Sequence, residues 1–87
     1  MQNDLELRAQ NKEQMIKAIQ RFRKNMSLTQ AGLSEKAGLP QSSVSKFESG
    51  TREPTLTLIF RILSALGLEI IIRKKKKQSA KTEGIVI

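Results

Sequence analysis

The sequence predicts an all-α domain of four to five short helices, followed by a brief β-strand available to pair across a dimer. Three observations predict it. Apolar residues recur at helical spacing in separate stretches between residues 12 and 67. Each stretch opens on a residue suited to a helix start, and three of them close on glycine. A β-branched run, Ile70-Ile71-Ile72, follows the last glycine, where the chain is too short for another helix.

Residues 1–11 have weak periodicity and read as an N-terminal arm or one extra helical turn. Asn11 with Gln14 resembles a capping box. Met15, Ile16, Ala18, Ile19 and Phe22 then repeat at helical spacing, which predicts a helix from about Lys12 to Lys24 ended by Asn25 and Ser27. Thr29 caps a second helix that carries Leu33 and Ala37 on one face and stops at Gly38. Gly32 inside it costs about 1 kcal/mol relative to Ala. Either a backbone packs closely there, or the helix depends on tertiary contacts. Pro40 opens a third helix, where a missing N–H is harmless. Val44 and Phe47 face inward, and Gln41, Ser42, Ser45 and Lys46 fall on other faces until Gly50 ends it. Helix, glycine-containing turn and short polar helix over Leu28–Gly50 are the signature of a helix-turn-helix.

After the loop 51–54, Thr55 caps a fourth helix that ends at Gly67. Leu56, Ile59, Phe60, Leu63 and Leu66 form a broad apolar face that Leu58 and Ile62 widen. A helix this apolar is buried nearly all round, which in a small domain implies cover by a second subunit. Residues 68–73, LEIIIR, read as a dimerisation strand through Leu68, Ile70, Ile71 and Ile72, paired with its own copy about a twofold axis. The alternatives are an extension of the fourth helix or irregular chain. Residues 74–87 form a basic tail that ends in Ile85-Val86-Ile87, which either dangles or docks elsewhere.

Sixteen Lys and Arg against eight Asp and Glu leave a net charge of +8 on 87 residues. That favours nucleic acid first, and a membrane surface or acidic protein second. The plain alternative is charge that only keeps the chain dispersed. There is no Cys and no His, so thiol chemistry, a disulfide framework and the commonest general base and metal ligand are excluded. The polar start predicts no secretory signal, and no apolar run approaches the length of a membrane span.

These residues resemble the phage-repressor-like (Cro/C1, XRE-type) helix-turn-helix family. LTQ at 28–30, the turn Gly38, VSKFESG at 44–50 and PTL at 54–56 carry the resemblance over residues 12–67. TLTLIFRILSALGLEI followed by a strand and a loose tail is similar to HipB-type antitoxins, dimeric repressors that also bind a HipA-type kinase toxin. The resemblance implies a compact lambda-repressor-like domain with the third helix as recognition helix. It implies base contact for Gln41, base- or phosphate-facing roles for Ser42, Ser43, Ser45 and Lys46, and backbone contact for Gln30, Thr51 and Arg52. Lys46 could serve a guanine or a phosphate. It pairs Arg23 with Glu48 as a structural ion pair. Pro40 stands where the family usually has Ser or Thr, so one side-chain acceptor and one phosphate contact are lost.

The expected function is therefore a homodimeric repressor of a palindromic operator in double-stranded DNA, the antitoxin of a HipA-like kinase toxin in a bacterial cytoplasm, associated with the nucleoid. The alternatives are an XRE-type repressor without a toxin, or a protein-interaction module on the same fold. No enzyme, metal, cofactor or membrane role is expected. A Ser–Lys dyad through Ser43 or Ser45 with Lys46 is the one catalytic arrangement conceivable on paper, and polar residues facing DNA account for it better.

Overall fold

The computed structural model describes residues 6–75. Its four helices are α1 Lys12–Asn25, α2 Gln30–Ala37, α3 Gln41–Ser49 and α4 Leu56–Leu66. Each boundary has a local cause. The Asn11 carboxamide oxygen accepts from the Gln14 N–H at 2.8 Å. The return bond goes one residue further back than a capping box requires, from the Gln10 N–H to Gln14 Oε1 at 2.7 Å. Thr29 and Thr55 cap α2 and α4 by accepting from the N–H groups of Gly32 and Leu58. Pro40 is not the first helical residue expected of it. It occupies the extended cap position, and no side chain caps α3.

Three helices end in one repeated device. The Leu28 N–H bonds back to the Arg23 carbonyl, Leu39 to Ser34 and Leu68 to Leu63. The residue before each leucine is left-handed: Ser27 (φ 57°), Gly38 (φ 68°) and Gly67 (φ 70°). These are Schellman ends, and the following leucine packs half-buried on the core in every case. Ser27 accepts a backbone state that costs a side chain more than it costs glycine. Gly67 also rules out LEIIIR as an extension of α4.

The core is Ile16, Ile19, Leu33, Val44, Phe47, Ile59, Ile62, Leu63 and Leu66. Helix α2 packs on α3 and α4, and α1 packs on the same two. Leu33 is completely buried and anchors α2. No closing backbone explains Gly32. A Cβ there would sit 3.3 Å from Thr29 Oγ1 and 3.5 Å from the Leu28 side chain. This eight-residue helix thus stands mainly on its tertiary contacts, the second of the two alternatives.

Two expectations change in α4 and beyond. Leu56 and Phe60 are 69% and 52% exposed, whereas Ile62 is fully buried. The inward stripe is Ile59, Ile62, Leu63 and Leu66, and Leu56 with Phe60, four residues apart, forms a second apolar stripe facing out. The strand expected at 68–73 does not form in the single chain: no strand occurs among the described residues. An isolated strand has no ladder to join, and residues 6–75 offer it no partner strand. Leu68 packs on the core, while Ile70, Ile71 and Ile72 are exposed. Ile85-Val86-Ile87 and most of the basic tail lie outside the described residues.

Candidate nucleic-acid interface

The site rests on a buried polar hub. Arg23 and Glu48 form an ion pair, Nε to Oε2 at 2.7 Å and Nη2 to Oε1 at 2.9 Å. Their side chains are 7% and 1% exposed. Glu48 Oε1 also accepts from Gln30 Nε2 at 2.9 Å and Gln20 Nε2 at 3.2 Å. The remaining Arg23 arm donates to the Leu28 carbonyl in the α1–α2 turn. One carboxylate therefore joins α1, α2 and α3 and sets the two halves of the helix-turn-helix relative to each other. Burial by itself pushes the Glu48 carboxyl up, but the hydrogen bonds from Arg23, Gln30 and Gln20 and the Arg23 charge outweigh it and hold it below the usual carboxylate range.

Turning Glu48 inward leaves the outer face of α3 without a carboxylate. Gln41, Ser42, Ser45 and Lys46 are all exposed on it. Ser49, one turn beyond Ser45, is exposed too, and its hydroxyl lies 3.0 Å from that of Thr51. The sequence reading passed over Ser49, although its four-residue spacing from Ser45 places it on the same face. Gln20 was passed over as well; it lies one turn before Arg23 on α1.

Ser43 is half-buried and lines a small cleft with Lys46, Phe47, Arg52, Pro54 and Leu58. The cleft brings Arg52 of the following loop beside Lys46 of α3, so two cations border one edge of the face. Thr51 is exposed in that loop. Gln30 is half-buried at the start of α2, where its amide nitrogen donates one hydrogen to Glu48 and keeps a second N–H donor.

This surface suits an anionic, polar ligand. Pro40 offers no side-chain acceptor and its carbonyl accepts only from the Ser43 N–H, so the N–H groups of Gln41 and Ser42 remain available to a ligand oxygen. Gln41 can grip an adenine edge through two hydrogen bonds, and Ser and Lys donate to base or phosphate oxygens. Among the described residues, no cluster of carboxylates could hold a metal ion.

A helix-turn-helix family model matches residues 19–72. The HTH-type transcriptional regulator y4dL of Sinorhizobium fredii is 35% identical over 68 residues, 78% of this chain. The chain spans 35% of that protein's length. The antitoxin HipB of Escherichia coli is 33% identical over 66 residues, covering 76% of this chain and 75% of HipB. Among solved structures, a HipB-O4 20mer complex superposes with a TM-score of 0.75 at 30% identity, over 82% of this chain and all of that one. One chain of a HipA-HipB-O2-O3 complex gives the same TM-score and identity, also over 82% of this chain and all of that one. The chain belongs to the helix-turn-helix family of transcriptional regulators, of the HipB antitoxin type.

Proposed function

We propose that the chain is the antitoxin of a kinase toxin of the HipA kind, and that as a homodimer it represses its own operon through a palindromic operator. The outer face of α3 carries this reading. Gln41, Ser42, Ser45 and Lys46 stand exposed there with their one carboxylate neighbour turned inward. The superposing structures named for HipB complexes support it. Two copies would place their α3 helices in successive major grooves, with half-sites about 34 Å apart. Helix α3 supplies specificity, and Lys46 and Arg52 supply salt-dependent affinity.

Selection from random duplex oligonucleotides tests the reading, with a recovered palindrome as the expected result. Gln41→Ala then costs about 1–3 kcal/mol on the selected duplex and relaxes preference at one position of each half-site. A variant that keeps both affinity and preference would remove Gln41 from the interface, and a wild-type chain that selects no sequence would favour a protein-interaction module. The toxin part is tested by a pull-down of the chain from its native host; recovery of a kinase of the HipA kind is the expected result, and a kinase that never co-purifies leaves the repressor and removes the antitoxin.

The dimer is assigned to residues 68–72 and the outward stripe of α4. Leu56, Phe60, Ile70, Ile71 and Ile72 are exposed in the single chain, where so many large apolar groups in contact with water are unfavourable. Deleting residues 68–72 should convert the dimer to a monomer by light scattering. A truncated chain that still scatters as a dimer would place the contact on α4 alone.

A further inference from the structure

Lys12 is the first residue of α1, where the helix dipole disfavours a cation. Its ammonium instead lies 2.7 Å from Glu53 Oε1, across 41 residues of chain. Glu53 directly follows Arg52, which lines the cleft beside Ser43 and Lys46 of α3. An acidic residue is therefore the chain neighbour of a cation of the face assigned to DNA, and its charge, left unpaired, would oppose a phosphate there. Lys12 and Glu53 are both exposed, so the pair contributes little to stability and stability does not explain it.

We infer that Lys12 is a positioning residue for DNA binding: it neutralises Glu53, so that Lys46 and Arg52 meet the phosphate backbone without a competing carboxylate. The inference rests on the DNA-binding reading above. Lys12 acts through Glu53 and touches no DNA itself. Glu53 is in turn held toward α1, and Arg52 is left unopposed at the cleft. The local sequence of the loop, Arg52 then Glu53, conceals this, because a neighbouring opposite charge reads as self-compensating.

The test is a set of anisotropy titrations of the full chain against the selected duplex at low salt. Lys12→Ala weakens binding about two- to fivefold, the scale of one exposed charge pair. Glu53→Gln binds at least as tightly as the wild type. The double variant K12A/E53Q returns to the affinity of E53Q. Lys12→Gln repeats the first measurement with a side chain that preserves the stem. The inference is overturned if K12A binds like the wild type, if E53Q binds more weakly, or if the double variant stays as weak as K12A. The last result would mean that Lys12 contacts phosphate directly. The two readings fail separately: a wild-type chain that selects no sequence removes the DNA reading and this inference together. A wild type that binds sequence-specifically, with K12A unchanged, removes only the inference.

Discussion

Glu48→Ala should lower the unfolding free energy by about 3–5 kcal/mol in a denaturant titration, with an unchanged m-value. The variant removes a carboxylate whose side chain is 1% exposed and strands the Arg23 guanidinium, itself 7% exposed, without its counter-charge. It also leaves the amide donors of Gln20 and Gln30 without their acceptor. A small domain holds about 5–15 kcal/mol in all, so the loss is a large share of the total. Replacing Arg23 and Glu48 together with apolar residues of similar volume should cost much less, because no buried charge is then left alone. A loss below about 1 kcal/mol for Glu48→Ala would show that apolar packing alone sets the helix angles.

The same carboxyl predicts the acid behaviour. Its folded value is held below the ordinary one by Arg23 and the two glutamines acting against burial. The stability it confers is thus complete above the ordinary carboxylate range and is lost as pH falls through the lowered folded value. In Glu48→Ala that part of the acid unfolding profile should disappear.

Most helix boundaries were readable because they are chemical and local. Asn11, Thr29 and Thr55 cap through their own side chains, and Gly38, Gly50 and Gly67 are left-handed at helix ends. Ser27 was readable only as a polar terminator, since nothing in its chemistry announces a positive φ. The outward turn of Leu56 and Phe60 was hidden for a different reason. Helix α4 has apolar residues on nearly every side, so periodicity cannot choose the buried stripe; packing against α2 and α1 chooses it. The outer face of α3 was readable from spacing. The bond from Gln30 to Glu48 and the pairing of Lys12 with Glu53 were not, because each joins residues distant in the chain.

The second large effect is in the salt dependence of DNA binding. Lys46 and Arg52 of two copies would neutralise four phosphates, which gives a log–log slope of about −4. The net charge of +8 argues for more than this. Arg73, Lys74 and Lys75 begin the basic run and are exposed. With one further phosphate per copy, the slope steepens to about −5, and affinity falls about 10³-fold between about 50 and 200 mM salt. Exchanging Arg73, Lys74 and Lys75 for glutamine separates the contributions: a slope that returns to about −4 assigns the extra phosphates to this run. An unchanged slope near −5 would place them elsewhere, for instance on the arm before α1. A flat response would count against duplex DNA as the partner, because a face of this charge cannot bind the backbone without releasing counterions.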